Sequence, residues 1–322
     1  MTQQPSCKLS ICIATFNRSS FLGATLDRVI SQATSDCEII ISDNASTDNT
    51  EELIAAYARR FDRLHYFRQE TNRGLDRNFD RAVELASGEY CWLMSDDDWL
   101  KPNAITRVLE ALSMDLSLLI VNMELRDFSM SKVIRPRWIN FDSDRRYERG
   151  EMDRLFVELD YTLWNIGNVI VKRSMWIARD RERYYGSWFV HVGVIFQDHL
   201  PGEALVIAEP LINYRLGNTQ SASSMWTELF LHKWPSLVDS LALSTSAKAT
   251  LKTMRPWKNV PTLLWLRGKQ GYSLVQYKLW IRPRLTTSAA GLIPVLVALL
   301  PRTLANALFR AAIALRLKPL LS

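Results

Sequence analysis

The sequence lacks the glycine-rich loops of the commonest nucleotide-binding folds. No Gly-x-Gly-x-x-Gly follows the first strand-like run, and no Gly-x-x-x-x-Gly-Lys-Ser/Thr occurs anywhere in the 322 residues. A dinucleotide-dependent enzyme and a P-loop NTPase are therefore unsupported. Cysteine is scarce: Cys7, Cys12, Cys37 and Cys91, with no Cys-x-x-Cys pair. Three of them fall in or beside strand-like runs, where a free thiol behaves as a small apolar side chain. Neither a zinc site nor a disulfide framework is expected, and a reducing compartment is. The longest apolar stretch falls short of the ~20 residues that a comfortable membrane span needs. The polar first residues lead straight into a strand, so no secretory signal is expected. Acids are nearly missing from the last third. Residues 222–322 hold 14 lysines and arginines against two acids, Glu228 and Asp239, whereas 1–221 hold 26 bases and 32 acids. That asymmetry predicts two parts, 1–221 and 222–322, the second facing an anionic surface.

What is present is ordinary core material in a regular alternation. Apolar residues make up 48% of the chain, enough for a sizeable core. Strand-like runs at 9–14, 38–42, 64–67, 89–94 and 117–121 alternate with helix-like runs at 20–32, 50–61, 75–86 and 102–112. Asp48 is a candidate N-cap for the second helix, with Glu51 as its capping-box partner. Pro102 suits the first turn of the fourth. This order predicts an α/β fold with a doubly wound, mostly parallel sheet. Ligands in such sheets sit outside the carboxyl ends of the strands. Polar turns collect there: Thr15-Phe16-Asn17-Arg18, Asp43-Asn44-Ala45-Ser46 and Ser95-Asp96-Asp97-Asp98. One such turn is a loop, but three on one edge make a site.

The aspartates are the most informative of these. Three carboxylates at a strand end repel one another without a counter-charge. Oxygen ligands of this kind suit Mg²⁺ or Mn²⁺, which in turn favours phosphate oxygens. The alternative is a solvated acidic turn.

Five motifs in order carry a resemblance: Ile13-Ala14-Thr15-Phe16-Asn17-Arg18, Ile41-Ser42-Asp43-Asn44-Ala45-Ser46-Thr47-Asp48, Asn72-Arg73-Gly74 with Asn78, Ala86-Ser87-Gly88-Glu89-Tyr90, and Asp96-Asp97-Asp98. The chain resembles family 2 glycosyltransferases of the GT-A fold, a Rossmann-like sheet, and within them the abequosyltransferase-like enzymes of bacterial O-antigen assembly. The resemblance implies a nucleotide-diphosphate-sugar donor. Asp43 would contact its base, and Thr15, Asn17 and Arg18, with Asn44, would line the nucleotide pocket. Arg73, Gly74 and Asn78 would sit near the ribose and diphosphate, with Asp96 and Asp97 beside them. Asp96 and Asp98 would hold the metal. Many family members carry an acid where this chain has Ser95, so the ligand set within 96–98 is open by one residue.

Inverting transfer is one displacement and needs a base for the acceptor hydroxyl. In the family that base precedes a segment ending in x-Pro-Leu-x-x-Tyr-Arg, which here is Glu209-Pro210-Leu211-Ile212-Asn213-Tyr214-Arg215. Counting back reaches His191, whose ordinary pKa suits neutral pH. Asp198 is the rival, and a hydrogen-bonded core histidine is the other reading of His191.

The last part combines Trp226, Trp234, Trp257, Trp265 and Trp280 with its cations. Residues 285–301 are uncharged but only 17 long, and Arg310 and Arg316 interrupt the apolar 304–317. Tryptophan and arginine beside apolar helices suit a peripheral hold on an anionic membrane surface. The apolar runs argue against nucleic acid. The expected activity is sugar transfer to a lipid-linked oligosaccharide, with a 3,6-dideoxyhexose such as abequose as one candidate sugar. The expected place is the inner face of the bacterial cytoplasmic membrane. The rivals are a nucleotidyltransferase, which would show a glycine-rich basic loop after the first strand, and a non-catalytic sugar-nucleotide-binding protein.

Overall fold

The computed structural model describes residues 7–218, 223–285, 287 and 289–315. The chain divides into two compact units, Met1–Asn218 and Thr219–Ser322.

The first unit is built on one sheet. In chain order its elements are β1 (Leu9–Thr15), α1 (Ser19–Ile30), β2 (Cys37–Asp43), α2 (Thr50–Ala58), β3 (Leu64–Arg68), α3 (Leu75–Leu85), β4 (Tyr90–Met94), β5 (Trp99–Leu100), α4 (Ala104–Leu112) and β6 (Leu118–Arg126). Then follow β7 (Val133–Arg135), β8 (Arg145–Tyr147), α5 (Met152–Leu159), β9 (Val169–Lys172), α6 (Arg173–Ile177), α7 (Val190–Phe196) and β10 (Ala204–Arg215). Every residue of β1, β2 and β4 is buried. Strands covered on both faces read as unbroken apolar runs, which is why they were legible. Leu9, Ile11 and Ile13 pack with Ile39, Ile41 and Trp92 in the centre of the core.

The sheet order is β3-β2-β1-β4-β9-β6-β10-β5, with β7 on β6 and β8 on β10. β1 pairs in parallel with β2 and β4, β2 with β3, and β6 with β10. β9 lies antiparallel between β4 and β6. The 117–121 run is thus a strand, but its neighbour is a later segment and not β4. All four cysteines are free and buried, as their apolar surroundings require.

Two helix starts differ from expectation. Asn49 precedes α2 with no side-chain cap. Asp48 instead accepts from Thr50 N at 3.2 Å and from Ser19 N at 3.0 Å, tying α2 to the start of α1. Pro102 stands outside α4, which begins at Ala104 after Asn103 turns left-handed at φ 63°. A short polar side chain tolerates that conformation, so Asn103 sets the boundary.

The second unit is helical. α8 (Ser223–Glu228) runs through a π-turn at Leu229–Lys233 into α9 (Trp234–Ser240). α10 (Thr245–Thr250), α11 (Val260–Lys269), α12 (Leu274–Gln276), α13 (Leu292–Leu299) and α14 (Arg302–Ala314) follow. The Asn259 side chain caps α11 by accepting from Thr262 N at 2.8 Å. Trp234 and Trp257 are core residues of this unit, whereas Trp226, Trp265 and Trp280 are half-buried, Trp226 packing with Phe230 and Trp265, and Trp280 stacking on His232. Among the described residues no single helix is long and apolar enough to cross a membrane. Arg316 and Leu317, like positions 286 and 288 of the 285–301 stretch, lie outside the described residues.

Candidate active site

Parallel pairing sets the site. β1, β2, β3, β4, β6 and β10 run the same way, so Thr15, Asp43, Arg68, Met94, Arg126 and Arg215 end on one edge. β9 runs the other way and brings its amino end, with Gly167, to that edge.

The aspartate turn lies at the middle of the edge. Asp96 accepts from Thr15 Oγ1 at 2.8 Å and from Arg18 Nε at 3.3 Å. Burial, then the charge of Asp97, pushes its carboxyl up to about 7. Asp97 accepts from Arg18 Nη2 and, at 2.6 Å, from Asn218 Nδ2. Asp98 is buried, and its Oδ1 accepts from Arg215 N at 3.0 Å. Its Oδ2 is buried and has no hydrogen-bond partner. Burial, and then Asp97, raises the Asp98 carboxyl well above the usual range. The turn is held from below by Thr25 Oγ1, 3.0 Å from the carbonyl oxygens of Asp96 and of Asp98. Gly167 closes the far side: a Cβ there would stand 2.9 Å from Asn165 Oδ1 and 3.4 Å from Asp98 Oδ2.

Among the described residues no group of three or more His, Cys, Asp or Glu side chains is arranged to hold a metal ion. The orphaned Oδ2 of Asp98 is nonetheless a fit for a hard cation, which would offset the cost of a buried carboxylate oxygen. Thr15 and Arg18 each donate to one oxygen of Asp96, which leaves each oxygen a further lone pair.

The other expected nucleotide residues fall on the same edge, and several are braces. Asp43 is wholly buried; Oδ1 accepts from Ser46 N at 2.9 Å and Oδ2 from Tyr66 OH at 2.7 Å. Asn78 ties three elements, accepting from Ser42 Oγ at 2.8 Å and Gln69 Nε2 at 2.7 Å and donating to the Thr15 carbonyl at 3.1 Å. Asn44 donates to Asn72 Oδ1 at 2.7 Å and accepts from Arg73 N at 2.8 Å. Asn17 has φ 54° and accepts from Thr47 N at 2.7 Å. Arg73 and Gly74 are exposed, and Arg18 and Asn17 are half-buried. The accessible part of the wall is therefore Asn17, Arg18, Arg73 and Gly74.

The base candidates part company. His191 is 1% exposed, and its Nε2 donates to the Leu163 carbonyl at 2.8 Å. Burial lowers its pKa to about 4. That is the hydrogen-bonded core histidine: neutral, weakly basic, and without the reach to an acceptor that the base role demands. Asp198 is exposed beyond the carboxyl end of α7, seven residues and thus ~10 Å along the helix from His191. Its Oδ1 accepts from His199 N at 2.7 Å, and Arg179 binds its carbonyl. The amino end of α7 is the one tied to α3, and Asp198 lies beyond its other end.

That tie is Asp76, a residue that sequence reasoning did not assign. Asp76 accepts from Gly186 N at 2.8 Å, Trp188 N at 2.9 Å and Val190 N at 3.2 Å. The only signal was an acid two positions before Asn78. Arg215 was also unassigned, although its segment was singled out. Its guanidinium stands 5.2 Å from the Trp99 ring and 5.3 Å from Phe21, with Nε donating to the Asp97 carbonyl at 3.2 Å.

Known proteins resemble this chain in sequence and fold. The model of Glycosyl transferase family 2 matches residues 10–168. The chain is 30% identical over 223 residues to the abequosyltransferase RfbV of Salmonella typhimurium, covering 65% of this chain and 67% of that protein. It is 28% identical over 182 residues to GalNAc(5)-diNAcBac-PP-undecaprenol beta-1,3-glucosyltransferase of Campylobacter jejuni, covering 56% and 57%. Among solved structures, S. aureus TarS 1–349 in complex with UDP-GlcNAc superposes with a TM-score of 0.62 at 12% identity, covering 94% of this chain and 92% of that one. The last likeness is one of fold.

Proposed function

This chain belongs to glycosyl transferase family 2, and on that premise we propose that it moves a sugar from a nucleotide-diphosphate donor to a lipid-linked saccharide in bacterial surface-polysaccharide assembly. The observation that carries this reading is the buried, partnerless Oδ2 of Asp98 on an edge that also holds Arg18 and Arg215. Carboxylate oxygen and guanidinium groups at one strand-end crevice suit a diphosphate held through a divalent cation. A bound Mg²⁺ or Mn²⁺, held by Asp98 with Asp96 beside it, would supply neutralisation of the charge that grows on the departing nucleoside diphosphate.

The chain's own groups do the rest. Arg18, fixed by Asp96 and Asp97, keeps a positive charge beside that cation site. Arg215 does the same from β10. Asn17, Arg73 and Gly74 form the accessible wall against the nucleotide, while Asn44 and Asn78 hold that wall's backbone. Asp43 is read as the base contact, although its carboxylate is wholly buried behind that wall and its Oδ2 accepts from Tyr66 OH. The transfer is read as a single inverting displacement. In that reading His191 or Asp198 takes the acceptor proton, and His191, buried against the Leu163 carbonyl, would first have to be uncovered.

The lipid-linked acceptor and the inner membrane face draw on the undecaprenol-linked substrate named for the Campylobacter relative and on the basic carboxyl-terminal unit. A 3,6-dideoxyhexose donor draws on the abequosyltransferase likeness. The test is a screen of nucleotide-sugars by thermal stabilisation with and without Mg²⁺ or Mn²⁺, followed by transfer assays with the binders. Cation-dependent stabilisation and turnover are expected. Stabilisation by no nucleotide-sugar, or full transfer in a chelator, overturns the reading.

A further inference from the structure

The second unit carries an apolar surface that it does not use. Ala289–Leu299 and Arg302–Ala314 together have the composition of a membrane segment, but they bend by 115° at the break between them. On α13, Leu292, Ile293, Leu296 and Leu299 point outward, and on α14 so do Leu304 and Leu308, with exposures from 42% at Leu308 to 63% at Leu292. Pro294, Val297, Ala298, Ala305 and Ala312 turn inward instead. Each helix is thus apolar on its outer face as well as its inner one, at spacings of three and four that keep the outer residues in a stripe.

The bend is built in. Leu300 leaves the helix at ψ 144° and Pro301 follows at φ −56°. Arg267 Nε donates to the Leu300 carbonyl at 2.6 Å, satisfying an oxygen that the broken helix leaves free. Tyr272 OH donates to the Pro294 carbonyl at 2.9 Å, and Asn306 Nδ2 donates to the Gly268 carbonyl at 3.3 Å. These bonds fix α13 and α14 on α11 at an angle that neither helix alone would require. Eleven and 13 helical residues reach ~16 and ~20 Å, well under the ~30 Å hydrocarbon core. Exposed cations accompany these helices: Lys278 and Arg282 precede α13, and Arg302 and Arg310 stand on α14, two residues and so about 200° from Leu304 and Leu308.

We propose that α13 and α14 form a bent wedge that enters one leaflet of an anionic bilayer, with these four cations at the phosphate level. This rests on the membrane-face reading above and not on sugar transfer itself. A second copy of the chain would also cover an apolar face, but it would bring a second basic segment, without acids after Asp239, up to the first. Anionic headgroups complement them. The exposed large side chains of α13 and α14 are leucine and isoleucine, so the insertion is assigned to aliphatic groups.

The test uses the full chain with sedimenting vesicles of phosphatidylcholine alone or mixed with phosphatidylglycerol, from low to high sodium chloride. Wild type is expected to pellet with the mixed vesicles and to keep a salt-resistant fraction. Leu296→Asp/Leu308→Asp should lower high-salt binding at least about tenfold, since it removes two exposed leucines that the wedge would insert into the bilayer. Lys278→Glu/Arg310→Glu should lower low-salt binding at least about tenfold and leave the high-salt remainder. Both pairs change exposed positions; Leu292→Asp/Leu304→Asp serves if the first apolar pair misfolds by circular dichroism. Wild type remaining in the supernatant, or both variants pelleting like wild type, overturns the wedge. A wild-type dimer that Leu296→Asp/Leu308→Asp turns into monomer, without vesicle binding, makes the face an interface between copies. Nucleotide-sugar stabilisation is measured on the same samples. Its absence beside the expected vesicle pattern removes the transferase reading and leaves the wedge standing.

Discussion

Asp98 and Asp96 answer differently to protons and cations because their oxygens are differently occupied. Asp98→Asn keeps an Oδ1 acceptor for Arg215 N and removes the charge at Oδ2. Transfer should fall by about a hundredfold or more, as for loss of one preorganised charge-stabilising group. The melting temperature should stay the same or rise, because an uncompensated buried carboxylate is lost. A folded Asp98→Asn protein with wild-type turnover would remove Asp98 from the site. For Asp96 the folded pKa of about 7 lies above the ordinary carboxylate value, so the folded state binds more protons between them. Without cation, stability at this group declines as pH rises from about 4 to about 7. Added Mg²⁺ or Mn²⁺ should therefore raise the melting temperature more at pH 8 than at pH 5. Equal shifts at both would detach the cation from this turn. His191 has the opposite sign. Its folded pKa of about 4 is below the unfolded value, so the folded state binds fewer protons. Its contribution is fully present above about pH 6.5 and is lost as pH falls toward 4, about 3 kcal/mol in all. His191→Asn should flatten that slope, read by denaturant titration at several pH values. If His191 is also the base, His191→Ala should lower the maximal rate far more than donor affinity, whereas Asp198→Ala should do neither.

At the scale of elements, one carboxylate organises the entry to α7. Asp76 sits at the start of α3 yet supplies the acceptor for three backbone N–H groups at 186–190. Trp188 among them holds φ 72°, a left-handed conformation that a large side chain adopts at a cost. Asp76→Ala should destabilise the protein by about 2 kcal/mol, the range for losing a cap and leaving donors unmet. Hydrogen exchange should accelerate at 186–191 before it does in β1 or β2. Unchanged protection there would mean that the loop is held by its other contacts. The segment before α7 was read by counting residues back from Pro210, and counting cannot show which end of a seven-residue helix meets α3.

For the whole molecule, the polar edge belongs entirely to the first unit and the exposed apolar stripe entirely to the second. Donor nucleotide with cation should accordingly protect amides at 15–18, 95–98 and 215–218 from exchange and leave 260–315 unchanged. Protection confined to the second unit would relocate the site. The sequence by itself determined the sheet and its edge. Runs such as Ile39-Ile40-Ile41 and Cys91-Trp92-Leu93 can be stable only between two layers, and short polar turns after them must fall at strand ends. It also placed the aspartates, because a buried strand that stops at three acids declares its own terminus. Tertiary structure alone decided which of those acids has an unmet oxygen. Arg18 reaches Asp96 and Asp97 from α1, Arg215 reaches Asp98 from β10, and neither distance is written in local pattern. It likewise decided that β9 would intervene between β4 and β6, that His191 would be sealed against Leu163, and that Trp234 and Trp257 would be buried. Burial and hydrogen-bond partners depend on residues far apart in the chain, and only the folded backbone brings them within a few ångströms of one another.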